Sequence, residues 1–278
     1  MAEPSGRDLD DEELLAAARS GDRAALEALI SRYQSLVYRF SIRMCGDAED
    51  ASDVLQETSL AMARSIEDFR ADSSLSTWLY TIARRFCLRK RRRSKFAPTR
   101  EESLERLSGE RLELLHARTH DPEEELARKE LGTALADAIA SLEPSQREVL
   151  VLRDMEGLPA SEVAQVLGLS VGAVKSRLHR ARLAVRSELA PVLGPAGAEA
   201  GDRCPDVLNL FSRHLEGDLG RDACTAMEAH LHQCARCRGA CASLKRALAL
   251  CRQAPVPEVP NAVRQSVQNA LRDFLSQQ

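Results

Sequence analysis

The sequence predicts an all-α protein: two small helical domains joined by a linker, the second containing a helix-turn-helix, then a small helical Cys/His metal-binding module. Three observations lead there. With one Trp, three Tyr and six Phe among 278 residues, the cores must rest on Leu, Ala and Val. Ala, Leu, Arg and Glu, which recur throughout, are the strongest helix formers. Apolar residues return at helical spacing between Gly, Pro and Asp breaks, and no strand-rich segment or internal repeat interrupts them. The 44% hydrophobic and 29% charged composition excludes wholesale disorder. No run of 18 apolar residues offers a membrane span. The first residues, MAEPSGRDLDDEE, lack a basic-then-apolar export pattern, so a cytoplasmic protein is expected.

The elements follow in order. Residues 11–93 read as a first domain of four helices. Gly21-Asp22 separates the first two, Gly46-Asp47 precedes a third from about Ala48 to Ile66, and the polar loop ADSSLS leads into TWLYTIARRFCLRKRRR. Residues 94–125 form a polar linker with Pro98 and Pro122 and room for one short helix. Residues 126–190 form a second helical domain, broken at Pro144, Gly157-Leu158-Pro159 and Gly168. A Gly/Pro/Ala linker at 191–202 leads to a Cys-rich module at 203–254. The tail, 255–278, carries PVPEVP and an amphipathic helix at 261–275.

Net charge is −3, but its distribution is uneven. Residues 84–95 hold eight Lys or Arg and no acid; residues 171–186 hold five and His179, again with no acid. Two such segments in an acidic chain point to two nucleic-acid contacts, against the alternative of solvated helix faces. The helix that precedes both in the chain, with Asp47, Glu49, Asp50, Asp53, Gln56 and Glu57, would be repelled by phosphate and calls for a protein partner. In the loop before the fourth helix, Asp72, Ser73, Ser74 and Ser76 are small polar groups suited to line a pocket for an unstacked base. Trp78 offers a stacking surface or a core anchor, and Arg84, Arg85 and Arg89 suit backbone phosphates. Within 160–179, Ala164, Gly168 and Val174 have the sizes and spacing of a helix-turn-helix joint. Ser170 can cap the second helix, whose exposed face is expected to carry Lys175, Ser176, His179 and Arg180 into the major groove.

These segments resemble a bacterial sigma factor of the small extracytoplasmic-function class. SLEPSQREVLVLRDMEGLPASEVAQVLGLSVGAVKSRLHRAR (141–182) resembles the domain that reads the −35 promoter element. DAEDASDVLQE (47–57) resembles the helix that docks on the β′ subunit of RNA polymerase, and FRADSSLSTWLYTIARR (69–85) the segment that opens and reads the −10 element. SLAMAR (59–64) lacks the aromatic residues usual there in the family. The resemblance covers 11–93 and 125–190 and implies a promoter-specificity subunit that binds core polymerase and promoter DNA.

Six of the eight cysteines lie within 204–251. Without an export signal, clustered Cys with interspersed His reads as metal before disulfide. Cys45 and Cys87, in apolar helical patterns, read as small core residues. His230-x3-Cys234-x2-Cys237 resembles the zinc motif of anti-sigma factors, which an upstream residue completes; Cys204 fits that place. On one unbroken helix His230 and Cys241 would stand about 16 Å apart, so either the helix breaks near Gln233 or Cys241 belongs elsewhere. Cys224, Cys241 and Cys251 exceed one zinc site. They are either buried small residues or extra thiolates for copper, cadmium or zinc in a sensing module, which would regulate the sigma domains through an intramolecular contact. The chain lacks a nucleophile–base set or phosphate-binding loop and does not read as an enzyme. The alternatives are a free-standing helix-turn-helix regulator with a structural zinc module, and an anti-sigma-like interaction protein. The first would not need the acidic helix or the basic Trp-bearing helix, and the two DNA-facing segments argue against the second as the main role.

Overall fold

The computed structural model describes residues 10–94, 122–193, 204–254 and 258–277; for 92–94, 122–125 and 127–128 it describes the backbone alone. The described residues are all helical or irregular, with no strand among them. They divide into two compact units, Met1–Thr99 with Pro257–Gln278, and Arg100–Val256.

In the first unit α1 (Asp11–Arg19) starts with a reciprocal cap, the Asp10 carboxylate accepting from the Glu13 N–H and Glu13 reaching back to the Asp10 N–H. α2 (Arg23–Cys45) is capped by Asp22 and ends at Gly46, whose φ of 80° is left-handed. Asp47 then caps α3 (Ala48–Ser65), and α4 (Leu75–Ser94) follows the polar loop. The breaks therefore fall where Gly and Asp were expected to put them. Leu29, Phe40, Met44, Val54, Leu55, Met62, Leu79, Tyr80 and Ala83 form the core, with Phe40 and Tyr80 meeting edge to face at 5.2 Å.

The second unit contains α5 (Pro122–Ser141), α6 (Pro144–Leu150) running into a π-helical turn at Val151–Met155, then α7 (Ala160–Leu167), α8 (Val171–Glu188) and α9 (Ala190–Leu193). α10 (Val207–Leu215), α11 (Arg221–Gln233) and α12 (Ala235–Gln253) complete it. α10 and α12 pack on α8, so the Cys-rich module and the helix-turn-helix fold as one body. α5 begins four residues before the expected boundary at 126; most of the 94–125 linker, like 194–203, lies outside the described residues.

The tail helix, α13 (Asn261–Ser276), belongs to the first unit. It lies along α3 and buries Val267, Leu271 and Leu275. The Arg64 guanidinium sits 5.3 Å from the Phe274 ring centroid. The amphipathic pattern expected at 261–275 thus has its apolar stripe covered by the acidic helix.

Candidate nucleic-acid interface and metal centre

The acidic helix and the basic helix face each other. Asp47 belongs to the helix start, accepting from the Asp50 N–H at 2.8 Å. Asp50 lies 3.3 Å from Lys90 of α4, Asp53 pairs with the same ammonium, and Glu57 pairs with Arg89. Burial lowers the Lys90 pKa, but the two carboxylates outweigh it and hold the group above the ordinary lysine range. Glu49 and Asp53 remain exposed. Gln56 Oε1 accepts from Ser266 Oγ of α13 at 3.2 Å. The acidic set and Arg89, expected to serve separate partners, partly neutralise one another.

In the loop before α4, Ala71 has φ 59°, a left-handed conformation costly for a residue with a Cβ. Asp72 and Ser74 are exposed and Ser73 is half-buried. Ser74 does the capping: its Oγ accepts from the Thr77 N–H at 3.2 Å and lies 2.9 Å from Ser76 Oγ and 2.8 Å from Thr77 Oγ1. Trp78 is half-buried, tilted against Phe69 at 5.1 Å, and also lines an open groove of about 380 Å³ with Ala61, Ser65, Ile82, Arg85, Phe86 and Arg89. It is anchor and surface at once. Arg85 is exposed and Arg84 half-buried. Phe86, with the Arg89 guanidinium 4.7 Å over its ring, lines the same groove but was not among the residues expected there; the signal was an aromatic one helical turn from Arg89 in a basic run.

The helix-turn-helix joint forms as its residue types dictate. Gly168 adopts φ 65°, Val174 is fully buried, and Ser170 Oγ caps α8 by accepting from the Ala173 N–H at 3.2 Å. The expected single exposed face needs correction. Ser176 and Arg180 are exposed, but Lys175 Nζ is held by Asp218 at 2.5 Å. His179 is half-buried; burial pulls its pKa down, with Asp206 of the module opposing. The reason is that the module packs along α8 and takes part of that face.

Arg182 is the larger surprise. Counted with the basic segment, it is 1% exposed and points inward. Its guanidinium donates to Asp154 at 2.6 and 2.8 Å, to Glu216 at 2.7 Å, and to Ser212 Oγ at 3.1 Å. Burial lowers its pKa and the two carboxylates more than offset that. Glu216 also accepts from Arg153 Nε at 3.0 Å. A signal was readable: Arg182 follows Val174 and Leu178 on the apolar stripe of α8, where a charge needs partners.

In the module, Cys204, His230, Cys234 and Cys237 converge, their ligand atoms within 4.8 Å of one another, and they are the one such group of four among the described residues. His230 Nε2 is 3.2 Å from Cys237 Sγ, and Cys204 Sγ is 3.9 Å from Cys234 Sγ. A zinc tetrahedron with bonds of about 2.0–2.3 Å needs ligand separations of about 3.3–3.8 Å. Shifts of less than about 1 Å would close the set, and three thiols with one imidazole are the donors zinc prefers. The helix breaks where expected: α11 ends at Gln233, and Cys234 is extended with φ −110° and ψ 104°. The Cys237 backbone N–H, foremost, lowers the Cys234 thiol, whereas burial and the neighbouring thiols push Cys237 up to about 12.

The surplus cysteines do not join this group. Cys241 and Cys251 are buried in the α12 core, because a continuous helix carries them away from the break. Cys224 Sγ instead lies 3.4 Å from His214 Nδ1. His232 is exposed.

Comparison with known families matches three segments of the chain. Residues 29–96 match the Sigma-70 region 2 family, 133–185 the Sigma-70, region 4 family, and 204–238 the family described as "Putative zinc-finger". The RNA polymerase sigma-H factor of Pseudomonas aeruginosa is 32% identical over 192 residues, 67% of this chain and 97% of that protein. The ECF RNA polymerase sigma-E factor of Haemophilus influenzae is 32% identical over 190 residues, 66% of this chain and 98% of that one. Among solved structures, CnrH in complex with the cytosolic domain of CnrY matches with 29% identity and a TM-score of 0.46, covering 65% of this chain and 97% of that chain.

Proposed function

The chain belongs to the extracytoplasmic-function class of RNA polymerase sigma factors, and from that membership we propose that its Cys-rich extension is a metal-dependent restraint on its own promoter recognition. As a sigma factor it is a non-enzymatic subunit that binds core polymerase and promoter DNA and directs transcription initiation. In the proposed reading, Glu49, Asp50, Asp53, Gln56 and Glu57 meet the β′ subunit, with Asp47 shaping the helix start. The loop at 72–76, Trp78, Arg84, Arg85 and Arg89 handle the −10 element. Lys175, Ser176, His179 and Arg180 read the −35 element from a helix that Ser170 caps. The work takes place in the cytoplasm, and no described helix is long and apolar enough to cross a membrane.

One observation carries the regulatory reading: the turn bearing Glu216 and Asp218 engages Arg182 and Lys175 of the helix that would enter the major groove. While Asp218 holds Lys175, that side chain cannot reach a base edge. The position of α13 over α3 lends support at the other contact, since Gln56 is already engaged. Zinc at Cys204, His230, Cys234 and Cys237 would hold the module in its docked form. With Cys224, Cys241 and Cys251 apart from the cluster, sensing falls to exchange at the cluster itself. Copper or cadmium would take the three thiolates with a different geometry. An ion shifts the docked state only through unequal affinity for docked and released forms.

In vitro transcription with core polymerase tests this, comparing the zinc-loaded, metal-free, copper-loaded and cadmium-loaded chain. Initiation is expected to change with metal in the natural chain, and the metal response to shrink in Asp218→Lys. Equal initiation in all four metal states overturns regulation and leaves a structural zinc. Loss of promoter-dependent initiation in every state overturns the site assignment.

A further inference from the structure

We propose that Cys45 and Cys87 form a redox-active dithiol that closes to an intramolecular disulfide, a modification site in the first unit independent of the metal cluster. Cys45 is the last residue of α2, and Cys87 lies within α4, 42 positions later. Their sulfurs stand 3.1 Å apart, and both are free thiols. Core packing accounts for Cys87, which is fully buried, but does not require a second sulfur against it. A disulfide needs about 2.05 Å, so the two must approach by about 1 Å. The α2 end can supply that movement, because the chain turns there through the left-handed Gly46.

The two sulfurs are not equivalent. Cys45 is half-buried at a helix terminus, within reach of a small oxidant. Cys87 has no exposed surface, and the Cys45 thiol together with burial pushes its pKa well above the ordinary thiol range. Cys45 is therefore the sulfur that meets the oxidant, and Cys87 is the one that resolves.

With a hydroperoxide as the oxidant, the Cys45 thiolate attacks one peroxide oxygen. The O–O bond breaks, hydrogen peroxide giving hydroxide, and Cys45 becomes a sulfenic acid. The Cys87 sulfur then forms the S–S bond and displaces the sulfenic oxygen, which leaves as water with the Cys87 proton. In sum, two thiols and one hydrogen peroxide become one disulfide and two waters. Each sulfur gives up one electron, and the peroxide takes both.

The bond would tie the end of α2, two residues before Asp47 caps α3, to the helix that carries Arg84, Arg85 and Arg89. In reducing compartments such pairs are transient and serve as sensors rather than staples.

The test uses the full-length, zinc-loaded chain. It is exposed to a small excess of hydrogen peroxide, alkylated, digested and mapped by mass spectrometry. The expected product is a peptide pair joined through Cys45 and Cys87, lighter by two hydrogens and released by dithiothreitol. C45S should leave Cys87 as a free thiol, while C87S should stall Cys45 as a sulfenic acid that dimedone traps. Both variants keep the size of the side chain, and circular dichroism checks that each folds. Free thiols at both positions after a dose that oxidises a simple thiol completely would overturn the proposal. So would sulfenic acid accumulating on Cys45 of the natural chain without a link, or a Cys45 linked elsewhere.

Discussion

Replacing Glu216 with Ala removes the acid that joins the Cys-rich module to the helix-turn-helix, and the structure sets the size of the effect. Glu216 accepts from Arg182 at 2.7 Å and from Arg153 at 3.0 Å. The Arg182 and Glu216 side chains are 1% and 4% exposed, so that bond is shielded and falls in the range of about 1.5–3 kcal/mol for charged hydrogen bonds. Arg153 is 26% exposed, and screening reduces its share to about 0–1 kcal/mol. The penalty for an orphaned buried charge does not apply, because Asp154 keeps both of its bonds to Arg182. The loss is then about 1.5–4 kcal/mol. With a urea dependence of roughly 2 kcal/mol per molar, the unfolding midpoint of the second unit should fall by about 1–2 M. Circular dichroism on the zinc-loaded chain reads this directly. Asp218→Ala is the contrast: its pair with Lys175 is 37% and 27% exposed, so it should cost under about 1 kcal/mol while freeing Lys175. A Glu216→Ala midpoint within about 0.3 M of the natural chain would refute the reasoning, since the pair would then behave as a solvated surface pair.

In the Asp218→Ala background, where Lys175 is released, Lys175→Ala should relax preference at one −35 position by about 1–3 kcal/mol. Arg89→Ala should weaken all promoters alike and lower the salt slope by about one; binding to promoter variants across a salt series separates the two. Zinc affinity should rise with pH, because Cys237, held up to about 12, must lose its proton to ligate. Each proton expelled gives about tenfold per pH unit, read by chelator competition, and a flat profile would contradict it. Ala71→Gly should raise stability by about 1 kcal/mol by relieving the left-handed φ of 59°. Gly168→Ala should lower it by a similar amount, since nothing lies within 4 Å of the added Cβ and the cost is conformational alone; melting curves measure both.

Local signals were legible and long-range ones were not. The Asp22 and Asp47 caps, Gly46 and the Gly168 joint act within one turn of themselves, so the helices they bound could be read directly. The Cys3His cluster was legible because its ligand types and spacing constrain where the helix must break. The docking of 204–254 on α8 was not, because it depends on Glu216 and Asp218 meeting Arg182 and Lys175 across more than thirty residues, and single exposed-looking acids carry no address. Likewise, the tail helix announced an apolar stripe through Val267, Leu271 and Leu275 but not the surface that covers it. For Cys241 and Cys251 the sequence left both readings open, because Cys serves equally as ligand and as small core residue.

The candidate metal centre and the docking surface share one small core, and under the proposed regulation that sharing would let one govern the other. Val207, Phe211, Met227, Cys237, Cys241, Leu244 and Leu248 form the module's core, with Cys204 and Cys234 packed against it. Three of the four metal ligands are therefore also packing residues. Ser212, next to Phe211, accepts from Arg182. A body this small buries too little apolar surface to be held by its core alone. It would draw on two outside sources: metal binding, which would contribute about 4 kcal/mol at a thousandfold excess over Kd, and the Glu216 contact, worth about 1.5–4 kcal/mol. Sources of similar size acting on one marginal core are coupled, and the coupling is reciprocal. Under the proposed regulation, loss of the metal would loosen the grip on α8, and DNA drawing Lys175 away from Asp218 would weaken the hold on the metal by the same factor.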